Sequence, residues 1–298
     1  MAIFNLGSVN IDHVYQVPHF VRPGETLASL DYARVLGGKG ANQSLALAKA
    51  GASVKHIGQM HTADEDFWQQ IQQTGVDCEC LRKGTTPSGH AIIQVIPEGE
   101  NAIVLFGGAN QVIEMGDIEA ALQGAGNEDW FLTQNETSQV PQALAYARKQ
   151  GLKTAYNPAP ACGIEKQVNP ADVDLLVVNQ TEAEAITGLR DLEQQVDYFA
   201  ANWAHAMVVL TLGGDGALLI CDKGILQVSA FETEVVDTTA AGDTFIGFFL
   251  AALSRNESEQ DAIQQACAAA ALSVQKAGAS TSIPSLDEVD DFLAEVTE

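Results

Sequence analysis

Val235-Val236-Asp237-Thr238-Thr239-Ala240-Ala241-Gly242-Asp243-Thr244-Phe245 carries three signals in one run. Val235 and Val236 read as the end of a short apolar strand. Ala240-Ala241-Gly242 reads as a turn almost bare of side chains, open to close approach by a ligand. Behind it, Phe245, Phe248, Phe249, Ala252 and Leu253 mark an apolar helix. The first N–H groups of a helix lack intrahelical partners and the helix dipole adds partial positive charge, so this turn is a candidate anion site. Asp243 closes the turn, and a carboxylate there repels an anion unless it has a task. Two tasks are open: a helix N-cap, or a base that takes the proton of a hydroxyl attacking a phosphoryl group. The segment by itself favours neither.

The strand–turn–helix rhythm extends along the chain. Strand-like runs are Ile3–Leu6 before Gly7, Val54–Gly58, Trp130–Gln134, Thr154–Pro158, Leu175–Asn179 and Met207–Leu212. Helix-like stretches lie at 66–73, 139–149 and 257–275. This alternation predicts an α/β fold, with a mostly parallel central sheet and helices on both faces, as a single domain over 1–298. Two stretches break the rhythm. His13–Val17 and Leu27–Ala33 flank Pro23-Gly24, and His90–Ile96 and Ala102–Phe106 flank Pro97-Glu98-Gly99-Glu100. Both read as antiparallel hairpins. Together they predict a small antiparallel β lid inserted at about 13–36 and 88–108.

Ligands of open α/β sheets sit beyond the carboxyl ends of the strands. Asn10 and Asp12 fall there, on one side of an extended chain, although by themselves they are better explained as a simple turn. Gly37-Gly38-Lys39-Gly40-Ala41-Asn42-Gln43 precedes a helix read over Ser44–Ala50 and ended by Gly51. Its glycines let a small ligand reach backbone, and Asn42 offers an amide donor and acceptor. It is not a Walker A loop, because Lys39 is followed by Gly rather than Ser or Thr.

The 298 residues are 46% hydrophobic and 18% charged, enough for a sizeable core. A formal net charge of −24 repels polyanions, so nucleic acid and membrane surfaces are excluded as partners. No stretch reaches the roughly 18 apolar residues of a membrane span, and the N-terminus lacks a signal-peptide pattern. The five cysteines include Cys78-x-Cys80, too closely spaced for a zinc knuckle. Free thiols and a cytoplasmic location are expected.

Asp237-Thr238-Thr239-Ala240-Ala241-Gly242-Asp243-Thr244-Phe245 resembles the C-terminal signature of the PfkB/ribokinase family of carbohydrate kinases. Gly37–Gln43 resembles its sugar-binding signature, and Asn10-x-Asp12 and Pro23-Gly24-Glu25-Thr26 match as well. The resemblance implies that Ala240, Ala241 and Gly242 form an anion hole and that Asp243 is the catalytic base. It further implies that Asn10, Asp12, Gly38, Lys39, Gly40, Ala41, Asn42 and Glu136 hold the sugar. Asn179-x-x-Glu182 matches the element that organises Mg²⁺ and phosphate. Thr211-Leu212-Gly213-Gly214-Asp215-Gly216 resembles the nucleotide loop, and Cys267 stands near the expected adenine, where relatives often carry Asn or His. A monovalent cation, K⁺, is implied beside the anion hole at positions matching Asp237, Thr239, Ser273, Lys276, Gly278 and Ser282.

The expected activity is ATP-dependent phosphorylation of a hydroxymethyl group on a small sugar, ribose first. Deoxyribose, fructose or a nucleoside remain open acceptors, and a catalytically silent sugar-binding regulator is the rival from another class. The lid predicts a homodimer, since its uncovered sheet face would pair with a second copy.

Overall fold

A computed structural model describes residues 1–297; Glu298, the last residue of the expected domain, lies outside the described residues. Its main sheet has nine strands in the order β13-β12-β11-β10-β9-β8-β1-β4-β5. In sequence the parallel members are β1 (Ile3–Leu6), β4 (Val54–His61), β5 (Leu81–Gly84), β8 (Trp130–Gln134), β9 (Lys153–Asn157), β10 (Leu175–Asn179) and β11 (Met207–Thr211). β12 (Ala217–Cys221) and β13 (Gly224–Val228) close one edge antiparallel. The central strands are buried on both faces, which is why they read as continuous apolar runs.

After β1 the chain builds outward to β4 and β5, then returns to place β8 on the other side of β1. The strand order therefore reverses at β1/β8, the switch point where open sheets leave a crevice at their carboxyl ends.

Helices cover both faces. They are α1 (Lys39–Lys49), α2 (Glu65–Gln73), α3 (Met115–Ala121), α4 (Val140–Lys149), α5 (Gln180–Thr187), α6 (Leu192–Asn202), α7 (Ala241–Ser254), α8 (Glu259–Ser273) and α9 (Leu286–Thr297). Two cores result. One contains α1, α7 and α8; the other contains α4 and Phe199 of α6 on the opposite face. α7 is buried continuously from Asp243 to Ala252, the signature of a helix packed on all sides. Gly247 lets it press onto α1, because a Cβ there would lie 2.3 Å from the Ala46 Cβ.

The second sheet has four strands in the order β3-β2-β6-β7, formed by β2 (Asn10–Gln16), β3 (Asp31–Gly37), β6 (His90–Val95) and β7 (Asn101–Phe106). Each hairpin is antiparallel, and the two hairpins join through a parallel β2–β6 pairing.

Three local expectations shift. The strand expected over Leu27–Ala33 lies at Asp31–Gly37, because β2 pairs along its whole length from Asn10↔Gly37 to Gln16↔Asp31. The helix expected from Ser44 begins at Lys39, so Gly40, Ala41 and Asn42 belong to its first turn. Val235 and Val236 are exposed and form no strand; the N–H groups of Val236 and Asp237 donate to the Val274 carbonyl. Two apolar residues without a buried face to cover do not make a strand.

Candidate active site

The crevice at the switch point collects side chains from distant parts of the chain. Asn10 and Asp12 stand on β2, just past the end of β1. β3 runs straight through Gly38, at φ 90°, into α1, whose first turn carries Lys39 and Asn42. Glu136 follows β8, Asn179 ends β10, and α7 brings Asp243 to the same place.

At β2, Asn10 Oδ1 accepts from Asn110 Nδ2 at 2.8 Å. Asp12 lies against Gly37, where a Cβ would be 2.0 Å from Oδ2, so a larger residue there would displace the Asp12 carboxylate. Burial raises the Asp12 carboxyl to about 6; a backbone hydrogen bond from Ala91 opposes this, and the charge of Glu136 adds to it. Glu136 Oε2 accepts from Ser8 Oγ at 2.5 Å and from the Lys39 N–H at 3.0 Å, a carboxylate on a helix N-terminus. Asp12 Oδ1 and Asn42 Oδ1 are buried acceptors without a protein partner. Buried acceptors of this kind call for donors from a bound molecule, and the hydroxyls of a polyol supply them.

Asp243 is buried beside the first turn of α1. Its Oδ2 accepts from Asn42 Nδ2 at 3.0 Å and its Oδ1 from Gln43 Nε2 at 2.9 Å. The carboxylate holds the nearby Lys39 ammonium above its ordinary pKa, against the desolvation that lowers it. Ala240 precedes the helix at φ 61°, the left-handed region, which turns the chain sharply ahead of Ala241 and Gly242. Asp243 therefore does not occupy the N-cap position, which Ala240 takes.

A cavity of about 230 Å³ is lined by Lys39, Asn179, Glu182, Ala240, Gly242 and Asp243, among others. Asn179 and Glu182 form a capping box on α5: Asn179 Oδ1 accepts from the Glu182 N–H at 2.9 Å, and Glu182 Oε2 from the Asn179 N–H at 3.0 Å. Burial raises the Glu182 pKa while backbone contact and Lys39 lower it. The structural and the ligand-holding readings of this pair are thus compatible. A larger cavity of about 410 Å³ shares Thr211, Thr238 and Gly242 with the first, so a long ligand can lie across both. The buried carboxylate of Asp243, the N-terminus of α7 and the two adjoining cavities thus lie side by side.

The sequence pattern of the pfkB family carbohydrate kinases matches residues 2–286. The chain belongs to that family. This kinase is 38% identical to the ribokinase of Haemophilus influenzae, the match covering 97% of each chain. It is 34% identical to the ribokinase of Staphylococcus aureus, over 96% of this chain and 97% of the relative. Among solved structures it resembles Arabidopsis thaliana ribokinase complexed with ribose and ATP, with TM-score 0.85, 27% identity and 98% coverage of both chains.

In the kinase, the larger cavity takes Thr211, Gly213, Gly214, Gly216 and Cys267 into its lining. Leu212 packs instead against the hydrophobic core, and Asp215 is exposed on a 3₁₀ turn, so neither lines it. The Cys267 thiol is pushed by burial up to about 12 and stays a neutral, small apolar surface.

Asp237 ties together the segments expected to hold K⁺. Its Oδ1 accepts from the Thr239 N–H and hydroxyl, at 2.9 and 2.6 Å, and its Oδ2 from the Gly278 N–H at 2.9 Å. Lys276 turns to Glu288, and the Ser273 and Ser282 hydroxyls donate to the carbonyls of Ala270 and Ala279. These segments can still offer a cation backbone carbonyls and the lone pairs of their hydroxyl and carboxylate oxygens, all hard oxygen donors that suit K⁺.

Sequence reasoning missed Ser8, Gln43, Asn110, Gln134 and Asn157, all buried polar residues around the site. Gln43 lay inside the quoted glycine motif, one residue after Asn42. Asn110 sits in a 3₁₀ turn that no motif marked.

Proposed function

We propose that the kinase is an ATP-dependent ribokinase that transfers the γ-phosphoryl group to the hydroxymethyl oxygen of D-ribose. The observation that carries this reading is the Asn42–Asp243 hydrogen bond, which ties a residue with a buried, unpartnered acceptor oxygen to the helix that follows the anion turn. The ribokinase relatives point to the same acceptor.

Asp12, Asn10, Asn42 and Glu136 would orient the sugar so that its primary hydroxyl meets Asp243. As this oxygen attacks the γ-phosphorus, Asp243 takes its proton. The new O–P bond forms while the bond to the β-phosphate oxygen breaks, and ADP leaves. The N–H groups of the Ala240–Gly242 turn, and Lys39, would face the charge that develops on the transferring group. Mg²⁺ on the phosphates, organised by Asn179 and Glu182, would supply charge neutralisation. K⁺ among the carbonyls near Asp237 and Gly278 would brace the anion turn.

The lid offers a second copy an apolar strand, since β7 is exposed along its length through Ile103, Val104, Leu105 and Phe106. A homodimer through this sheet follows. Among the described residues all five cysteines are free, in keeping with a cytoplasmic location. No helix among them is long and apolar enough to cross a membrane.

The test is ATP consumption against a panel of pentoses, 2-deoxyribose, hexoses and nucleosides, with and without K⁺. Ribose should give the highest kcat/KM, by about tenfold, the usual scale of one differential contact. A higher value for 2-deoxyribose or a nucleoside would reassign the acceptor; no turnover with any sugar would leave a silent binding protein.

A further inference from the structure

A buried chain of amides leads away from Asp243 into the protein, and the mechanism above makes no use of it. Gln43 Nε2 donates to Asp243 Oδ1 at 2.9 Å and to Asn157 Oδ1 at 3.2 Å. Asn157 is itself held by its Nδ2 on the Val177 carbonyl at 2.9 Å. Gln43 Oε1 accepts from Gln134 Nε2 at 2.8 Å, and the same nitrogen donates to Asn5 Oδ1 at 2.9 Å. Asn5 Nδ2 then donates to the Gly40 carbonyl and to Ser44 Oγ, each at 2.8 Å. Ser44 Oγ lies 2.8 Å from His56 Nδ1, and His56 Nε2 lies 3.1 Å from the Gly7 carbonyl. Asn5, Gln43, Ser44 and His56 are all 0% exposed, so bulk solvent does not reach these groups.

The sense of this chain is forced from both ends. A carboxylate only accepts, so Gln43 must turn its nitrogen to Asp243. A backbone carbonyl only accepts, so His56 must carry its proton on Nε2. Burial pushes the His56 imidazole down to about 4, which leaves Nδ1 bare as an acceptor at neutral pH. Ser44 therefore donates its O–H to Nδ1 and receives from Asn5, and the amides of Gln134 and Gln43 line up behind it. Gln43, Gln134 and Asn5 each use both amide hydrogens, so no member can flip without breaking two bonds.

We infer that Gln43 is a positioning residue for Asp243, holding Oδ1 so that Oδ2 faces the sugar, and that the Gln134–Asn5–Ser44–His56 chain locks its orientation. This rests on the reading of Asp243 as the base. A charge-assisted hydrogen bond holds a carboxylate in one rotamer, and a base off line by an ångström loses much of its effect. Sequence spacing puts Gln43 beside Asn42, yet the two do different work: Asn42 keeps an oxygen free for the sugar, and Gln43 keeps none.

The test is steady-state kinetics of Gln43→Met and Gln134→Met, each alone and in an Asp243→Asn background. Gln43→Met should lower kcat by about 10- to 100-fold, the span of one hydrogen bond to a charged group. The KM for ATP should stay within about twofold, because the nucleotide cavity does not include Gln43. Gln134→Met, which leaves Asp243 untouched, should cost about threefold or more in kcat in the same direction. In the Asp243→Asn background neither substitution should lower the residual rate by more than about twofold. Unchanged kcat in Gln43→Met, or an equal loss in the Asp243→Asn background, would overturn the inference. Should Gln43→Met fail to fold, Gln134→Met in the two backgrounds decides alone. Failure of the base reading shows separately, as a full rate in Asp243→Asn itself.

Discussion

Gly247 of α7 lies bare against Ala46 of α1, one helical turn beyond the point where Asp243 meets Asn42. Asp243 and the amide that holds it are thus placed by a close helix crossing, not by a loop. Gly247→Ala would set two Cβ atoms 2.3 Å apart, so the helices must part. Overpacking of this kind costs about 1–3 kcal/mol. The expected result is a lower melting temperature together with a reduced kcat. A variant that melts lower yet keeps its full rate would show that the crossing serves stability only.

Asp243→Asn keeps the shape of the side chain and removes the proton acceptor. General-base catalysis contributes about 10²- to 10⁴-fold, so kcat should fall by that factor while the melting temperature stays near wild type. Because Ala240 holds the N-cap position, Asp243 has no capping duty to lose. A rate within about threefold of wild type, well short of the general-base range, would remove Asp243 from the chemistry.

Asp12 predicts a pH dependence of sugar binding. Its carboxyl titrates at about 6 in the folded protein against 3.8 for an ordinary Asp. Below about 6 the carboxylate is lost and with it a strong acceptor for sugar hydroxyls, so the sugar KM should climb as pH falls through that value. The stability effect has its own sign: the folded state holds the proton more tightly, so this contribution is complete below 3.8 and is lost as pH rises through about 6. Asp12→Asn should abolish both trends. A flat sugar KM between pH 5 and 7 in the wild type would count against an ionised Asp12 in the pocket.

His56 runs the opposite way. Its imidazole is held near 4 against an ordinary 6.5, so as pH falls between those values the unfolded chain takes up a proton that the folded chain refuses. Stability present above 6.5 is lost toward 4, by about 3 kcal/mol at 1.36 kcal/mol per pH unit. Over their shared window His56 and Asp12 offset one another. Acid denaturation of Asp12→Asn should therefore be steeper than that of wild type between pH 6 and 4, and an unchanged profile would contradict this opposition.

The large strands were readable because burial on both faces leaves apolar runs: Trp130–Gln134 and Leu175–Asn179 have the expected bounds, and the strand from Met207 ends one residue early, at Thr211. The glycine string and the small-residue turn were readable because close backbone approach admits few residue types. Val235 and Val236 misled, since apolar character alone does not say whether a buried face exists to receive it. The chain behind Asp243 was hidden for another reason. Asn5, Gln43 and Gln134 meet only through the fold, and hydrogen bonds leave no periodicity. Yet Asn5 stands in the middle of Ile3-Phe4-Asn5-Leu6, a wholly buried strand, and a buried amide must have partners. That one polar letter was the available clue.

The first turn of α1 has a bearing on how readily this kinase could acquire a new acceptor. Asn42 holds Asp243 with its Nδ2 and leaves its Oδ1 without a protein partner, which the proposed function gives to the sugar, and Gln43 follows it directly. Variation on that turn changes recognition and turnover together, which leaves evolution or a protein engineer little room there. The opposite wall is separable: among the described residues, Asn10 and Asp12 on β2, with Asn110 beside them, make no hydrogen bond to Asp243 or Gln43. Libraries at positions 10, 12 and 110 should yield active kinases with altered sugar preference, whereas libraries at 42 and 43 should yield mostly inactive protein, so adaptability resides in the lid strand and constraint in the helix.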